Sequence, residues 1–154
     1  MADRIAVMRD GAIVQLGTGA EIYRNPASRY VADFIGEANL LACRASGDGH
    51  VRLIPDGPSL PYRLDGPASS TITLMIRPGD VRVGATRADE DEIALAATLR
   101  NKVFVGATWR LYLTAPGGQE IAAEPGYSAD AEHLEPGDAT TVRWRREAAR
   151  LLAD

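Results

Sequence analysis

The stretch TITLMIRPGDVRV, residues 71–83, decides the fold class of this chain. Its first part, from Thr71 to Arg77, is a short run of β-branched and aliphatic residues, which predicts a strand. Pro78, Gly79 and Asp80 then predict a tight turn, and the residues from Val81 onward begin a second strand. A strand, a turn and another strand in so short a stretch are typical of a mainly β protein.

Similar short runs continue on both sides of this stretch. They alternate with turns rich in Gly, Pro and Asp, and several of them show the alternating apolar pattern of a half-buried strand. The runs lie at 40–45, 50–54, 93–99, 103–113, 120–124 and 140–145. Many short strands at this spacing predict a barrel or sandwich rather than a βαβ fold, and a short helical tail is expected after the last strand.

Residues 1–37 have a different character. The short apolar runs RIAVM at 4–8 and AIVQL at 12–16 flank Asp10-Gly11, a pair that favours the positive φ angles of a tight hairpin turn. The pattern changes between residues 36 and 40. We therefore expect two domains, at 1–37 and 38–154.

Two short helices are predicted after the hairpin. Thr18 and Glu21 have the spacing of a capping box and predict the start of the first helix. Asn25 as the cap, with Pro26 at the first helical position, predicts the start of the second, and Gly36 predicts its end.

The composition argues against several functional classes. Hydrophobic residues make up 45% of the chain and charged residues 25%, as in ordinary globular proteins. The formal net charge of -4 and the pI of about 5.2 argue against binding to nucleic acid or to an anionic membrane. Cys43 is the one cysteine, which fits a reducing cytosol. No signal peptide and no apolar run of about 18 to 20 residues is visible, so we expect any membrane connection to run through a partner.

Several segments of the first domain resemble the end of a known domain. The segments ADRIAVM at 2–8 and IVQ at 13–15 resemble the last strands of an ABC-transporter ATPase domain. The segments EIY at 21–23 and VADFIG at 31–36 resemble the linker helices that follow it.

The second domain resembles the TOBE domain, a transport-associated OB-like domain that follows the ATPase in importers of sugars, polyamines and ferric iron. NLL at 39–41 opens this segment, IRPGDV at 76–81 is similar to the family's I-R-P-x-D-V motif, and VFVG at 103–106 is similar to its V-x-x-G strand. The resemblance implies an OB-like β-barrel or sandwich, preceded by a hairpin and two short helices left from the ATPase domain.

The motifs of ATP hydrolysis do not occur in this sequence. A P-loop needs a Gly-rich turn that closes in Gly-Lys-Ser/Thr, and no such run is found here. We therefore expect no enzymatic activity, no catalytic or ATP-binding residue and no cofactor in this chain. The resemblance implies that ATP and magnesium are bound elsewhere in the full-length subunit.

The family motif singles out four candidate contact residues, Arg77, Pro78, Asp80 and Gly106. Arg77 ends an apolar strand beside a turn, and two interpretations stay open. It either pairs with a nearby acid that fixes the turn, or it contacts a ligand or partner.

The resemblance implies a regulatory and dimerisation domain of an importer's ATP-binding subunit. Its partners would be a second copy of the chain, membrane permease subunits and a solute-binding protein. Its location would be cytoplasmic, at the inner face of the membrane. The apolar strands between residues 95 and 113 are the candidate dimer surface, formed by Leu95, Leu99, Val103, Val105, Trp109 and Leu111.

Two other functions stay open. The domain could sense the transported solute or a regulator, with a pocket at the Arg77 turn or between paired domains. It could also be a stand-alone oligonucleotide-binding barrel, although the acidic charge argues against nucleic acid. The acidic run at 89–92 is interpreted as a solvated loop, and no metal site is expected at it or at His50 and His133.

Overall fold

The computed structural model describes residues 3–64, 70–84, 88–126 and 128–153. Ala2, the first residue of the ATPase-like segment, lies outside the described residues. The elements are, in chain order, β1 (Ile5–Arg9), β2 (Ala12–Gly17), α1 (Gly19–Arg24), α2 (Arg29–Ile35), β3 (Asn39–Ala45), β4 (Val51–Leu53), β5 (Ser59–Leu60), β6 (Thr71–Ile76), β7 (Arg82–Val83), β8 (Glu92–Val105), β9 (Thr108–Thr114), β10 (Glu120–Ala123), α3 (Ala129–His133), β11 (Ala139–Arg145) and β12 (Arg150–Leu152).

The hairpin and the first helix form as the local sequence predicts. Asp10 and Gly11 both have positive φ, at 51° and 80°, and join β1 to β2 in an antiparallel pair. The Thr18 hydroxyl accepts the Glu21 N–H at the start of α1, and the Glu21 carboxylate accepts the Thr18 N–H in return. This reciprocal capping box satisfies two of the N–H groups that a helix start leaves unpaired.

The predicted start of the second helix is wrong by three residues. Ser28, not Asn25, caps α2 and accepts the Val31 N–H. Asn25 instead ends α1, and its side-chain oxygen accepts a hydrogen bond from Arg150. The Asn25 side chain is therefore engaged elsewhere and does not cap α2. Gly36 ends the helix as predicted.

The remaining strands form two five-stranded sheets, in the orders β12-β6-β3-β4-β5 and β10-β9-β8-β11-β7. Their inward side chains share one core cluster, whose largest member is Trp144. The Trp144 indole N–H donates to the Tyr62 hydroxyl at 2.9 Å, so its polar atom is paired inside the core. This architecture confirms the mainly β, OB-like fold.

Two side-chain amides connect the sheets where β3 meets β10. The buried Asn39 amide donates to the Ala122 carbonyl at 2.8 Å and accepts the Ala122 N–H at 2.7 Å. The Gln119 amide makes the same pair of bonds with the backbone of Ala42. Each side-chain amide thus takes the place that a peptide group of a neighbouring strand would occupy. It gives hydrogen-bond partners to a backbone N–H and C=O that would otherwise lack them at the strand edge.

A short strand, β12, stands where a helical tail was expected. Residues 146–148 form one 3₁₀ turn, and β12 then pairs antiparallel with β6. Leu152 of β12 packs with Ala32 of α2 and Met75 of β6 in a small apolar cluster. Burial of these side chains favours the strand and also attaches the linker helices to the barrel. The short strand β5 and the helix α3 were not predicted from the sequence.

We expect Asn39→Ala to lower the free energy of unfolding by about 2 kcal/mol, because it leaves the Ala122 peptide group without partners in a partly buried position. Gln15→Ala is the matched control, since the Gln15 amide also makes two backbone bonds, to Asn25 and Ala27, but in an exposed position. Chemical denaturation of both variants measures the difference. Equal losses would contradict the assigned role of Asn39.

We also expect a pH dependence from Cys43, whose side chain is fully buried. Burial raises the pKa of the Cys43 thiol from 9.0 to about 11. The unfolded thiol therefore ionises first, so the stability that this group contributes is complete below pH 9 and is lost as the pH rises towards 11. The loss amounts to at most about 3 kcal/mol. Unfolding of the wild type and Cys43→Ala across this range measures it, and identical pH slopes would contradict it.

Candidate functional site

Arg77 lies at the junction between the linker helices and the barrel. Its Nη1 donates to the carbonyl oxygens of Ala32 at 3.0 Å, Gly36 at 3.0 Å and Glu37 at 3.1 Å. Its Nη2 donates to the carbonyl oxygen of Tyr23 at 2.9 Å, and the guanidinium lies 4.1 Å from the centre of the Tyr23 ring. One barrel side chain therefore binds the ends of both linker helices.

The interpretation that Arg77 pairs with a nearby acid needs correction, while the interpretation that it contacts a ligand or partner stays a prediction. The residue is only 4% exposed, and the hydrogen bonds of its guanidinium go to backbone carbonyls rather than to a carboxylate. The last carbonyls of a helix lack partners within the helix and carry partial negative charge, so they attract a cation. Burial lowers the pKa of Arg77, and the nearby Tyr23 and Asp80 offset only part of this shift. An arginine stays protonated under such conditions.

The junction leaves little space beside Gly36. A Cβ built on Gly36 would lie 3.3 Å from the Tyr23 ring and 3.9 Å from Nη1 of Arg77. The backbone of Gly36 is extended, with a φ of 173°, so a larger residue there would not strain the backbone but would have to displace the Tyr23 ring by a few tenths of an ångström.

Arg110 forms a second connection, which sequence reasoning missed. Its guanidinium forms ion pairs with Glu37 from the linker and Glu124 after β10, and its Nε donates to the Tyr112 hydroxyl at 3.1 Å. Burial alone would lower the pKa of Arg110, but the Tyr112 hydrogen bond and the two carboxylates outweigh it and raise the pKa. The available signal was a charged residue in the middle of the apolar strand TWRLYLT.

The structure does not bring the four motif residues together at one contact. Pro78 is buried, and its carbonyl accepts the N–H groups of Val81 and Glu124, which attaches β10 to the turn. Asp80 is exposed in the same turn. Gly106 lies in the turn between β8 and β9 and has a φ of 68°. Arg77 and Pro78 thus serve the junction, while Gly106 belongs to a hairpin tip.

The candidate dimer surface stays a prediction, and only part of its residues are accessible in this fold. Leu95, Leu99 and Leu111 are at most 4% exposed, because the inward face of these strands packs into the barrel core. These three residues cannot form a surface in this fold. Beyond a bulge between Leu99 and Asn101, β8 continues past the end of β11. We call residues 101–110 the β8–β9 arm, and it carries the other three candidates, Val103, Val105 and Trp109.

Metal binding and membrane spanning can both be checked in the part of the chain that the structure describes. Among the residues that the structure describes, no group of three or more His, Cys, Asp or Glu side chains could hold a metal ion. Within those same ranges, no helix has the length and apolar character needed to cross a membrane.

The fold and the junction together define an OB-like accessory domain bound to the segment that precedes it. Residues 74–152 match the TOBE domain family, and the chain belongs to this family. It is homologous to the C-terminal part of the ATP-binding subunits of ABC importers.

Three of these relatives illustrate the similarity. The spermidine/putrescine import ATP-binding protein PotA of Thermobifida fusca is 36% identical over 157 residues, which cover 99% of this chain and 41% of that protein. The sulfate/thiosulfate import ATP-binding protein CysA 2 of Chromobacterium violaceum is 42% identical over 117 residues, which cover 76% of this chain and 31% of that protein. The Fe(3+) ions import ATP-binding protein FbpC 2 of Rhizobium meliloti is 32% identical over 170 residues, which cover 99% of this chain and 42% of that protein. The chain thus spans about two fifths or less of the length of these relatives.

A solved structure supports the fold assignment. The cytoplasmic molybdate-binding protein ModG, with molybdate bound, superposes with a TM-score of 0.62 and 15% sequence identity. The superposition covers 84% of this chain and 99% of ModG. At this level of identity the similarity establishes the fold only.

We expect Arg77→Lys to release the linker helices from the barrel. A lysine keeps the charge but cannot present the fork of donors that reaches four carbonyls, so we expect a loss of about 2 to 4 kcal/mol in the free energy of unfolding. Relative to the wild type, amide hydrogen exchange should also accelerate more in residues 19–37 than in the barrel strands. The matched control is Arg44→Lys, an exposed arginine with one backbone bond, to Pro55. Equal protection of residues 19–37 in both variants would contradict the role of Arg77.

Proposed function

We propose that this chain is the regulatory and dimerisation part of the ATP-binding subunit of an ABC solute importer. The observation that carries the proposal is the β8–β9 arm, which exposes apolar side chains on both of its faces. Val103 and Val105 lie on one face and are 43% and 50% exposed. Phe104, on the other face, is 52% exposed and packs edge-on against Trp109 at 5.0 Å between ring centres. Exposed apolar side chains grouped on one element support an interaction site there.

The backbone of the arm supports pairing with a second copy. β11 pairs with β8 as far as Thr98, and the residues just before β11 bond both backbone groups of Leu99. Beyond Leu99, β9 is the one neighbouring strand of β8 among the described residues. An unpaired strand edge is a template for another strand. Two copies related by a two-fold axis can pair such edges antiparallel, because that arrangement is self-complementary.

The junction supports a role in aligning the ATPase halves. We place the division between the domains at residues 37 and 38, as the sequence indicates. Arg77 and Arg110 bind the linker on the first side of this division to the barrel on the second. A dimer formed by the barrels would therefore also fix the two linker segments relative to each other.

The relatives support the rest of the proposed assembly. We assign ATP and magnesium to the part of the subunit that precedes this chain, and we expect no ATP turnover by the chain alone. Permease subunits and a solute-binding protein would complete the transporter. The location would be cytoplasmic, at the inner face of the membrane.

Ligand sensing is a second candidate, favoured by a cavity between α3 and β11. The cavity has a volume of about 480 Å3, and Asp130, His133, Thr140 and Thr141 are among its lining residues. These side chains offer a carboxylate, an imidazole and two hydroxyls to a small polar ligand. This cavity is separate from a smaller one, of about 210 Å3, that lies at the Arg77 turn, where the sequence suggested a pocket.

We expect the chain to dimerise with rising concentration in light scattering, and Phe104→Ser to weaken the dimer at least about tenfold through loss of buried apolar surface. Phe34→Ser is the matched control, since Phe34 is an exposed aromatic residue on α2, outside the arm. A monomer at every concentration would overturn the dimerisation role. If spermidine, putrescine or molybdate then raised its melting temperature, ligand sensing would be favoured instead.

A further inference from the structure

Lys102 connects the β8–β9 arm to the helix α3. Its side chain is only 14% exposed, although it lies at the start of an otherwise protruding arm. Its ammonium group donates to the carbonyl of Glu132, in the last turn of α3, at 2.9 Å. The same group lies 3.4 Å from the carboxylate of Glu135, with which it forms an ion pair.

The Glu132 carbonyl lies where the local chain cannot supply the usual helical donor. In an α-helix this carbonyl would accept the N–H four residues further on, but that residue is Pro136, which has no N–H. The N–H of Glu135, three residues further on, donates instead to the carboxylate of Asp138. Lys102 therefore supplies a donor that these two positions do not provide.

Lys102 also contacts the aromatic residues of the arm. Its Nζ lies 4.8 Å from the centre of the Trp109 ring, and that ring packs edge-on against Phe104. The face of an aromatic ring attracts a cation at this distance. A series of contacts thus runs from α3 through Lys102 and Trp109 to Phe104, the exposed aromatic residue of the arm.

The arm benefits from such an anchor because of its construction. In the part of the chain that the structure describes, it is a ribbon of two strands beyond Leu99. Two strands alone are marginally stable in water. A ribbon that moves freely loses this freedom when it pairs with a partner, and the lost entropy weakens binding. A ribbon that is already fixed in the pairing orientation avoids most of this cost.

We propose that Lys102 is a positioning residue for dimerisation, and that its contacts with α3 and Trp109 hold the β8–β9 arm ready to pair with a second copy. The inference rests on the proposed function, since it concerns the same arm, and it adds the residue that fixes the orientation of that arm. Lys102 acts from within its own chain, where most of its side chain is buried.

The test measures the dimer dissociation constant by analytical ultracentrifugation for the wild type, Lys102→Met and Lys102→Arg. Methionine keeps an unbranched stem against Trp109 but cannot donate, so we expect a dissociation constant about three to ten times higher. Arginine keeps the charge and the donors, so we expect a constant within about twofold of the wild type. Arg52→Met is the matched control and should leave the constant unchanged. It removes a charge from an exposed position on β4, in the sheet that does not contain the arm.

Amide hydrogen exchange of the monomer provides the second measurement, at a concentration well below the dissociation constant. We expect residues 101–110 to exchange faster in Lys102→Met than in the wild type, because the arm loses its anchor. The strands β3 and β6 should keep the exchange of the wild type, which shows that the variant is folded. This measurement reports the order of the arm before any partner binds.

The outcomes separate this inference from the proposed function. A wild type that stays monomeric at every concentration overturns both. A dimeric wild type whose dissociation constant equals that of Lys102→Met overturns this inference alone. A weaker Lys102→Met dimer with unchanged exchange in the arm also overturns it, because Lys102 would then act by contact with the partner. The same holds if Lys102→Arg dimerises as weakly as Lys102→Met.

Discussion

Four backbone carbonyls at the ends of two short helices converge on the guanidinium of Arg77, and the position of the N-terminal segment depends on this contact. The helices α1 and α2 have six and seven residues, which is too short for stability in isolation. Gly36 ends α2 in an extended conformation, so the helix does not finish with a left-handed cap that would bond its last carbonyls. Arg77 satisfies several of these carbonyls from outside the helix and supplies the positive charge that a helix end favours.

The same short stretch of chain then connects the two sheets. Glu37, whose carbonyl binds Arg77 and whose carboxylate binds Arg110, lies two residues before Asn39. Asn39 begins β3 and bonds both polar groups of the Ala122 peptide on β10. The path from linker to barrel is therefore anchored at both Glu37 and Asn39. A hinge needs residues that can absorb a change in φ and ψ, and these anchored residues are poorly suited to that.

How much of this could be predicted depends on how local each interaction is. The Asp10-Gly11 turn and the Thr18 capping box use neighbours in sequence, and both were predicted correctly. The local pattern predicts Asn25 as the cap of α2, but the Asn25 side chain bonds Arg150 instead. Arg150 lies 125 residues away, so the local pattern could not reveal this partner. The carbonyl partners of Arg77 are 40 to 54 residues distant. Alternation alone likewise could not separate buried Leu99 from exposed Val103, because the end of β11 decides which part of β8 is covered.

The placement of Arg110 links the arm to the junction and bears on how such a domain could act. Arg110 pairs with Val103 across the β8–β9 ladder, so the strand that carries the exposed arm also holds Glu37 of the linker. Coupling between distant sites by switching requires an element with two discrete arrangements. The residues between the arm and the linker are instead paired in a sheet, buried or bound by ion pairs. This arrangement favours rigid alignment. A partner bound at the arm would fix the orientation of the linker, and the domain between them would not need to change its conformation.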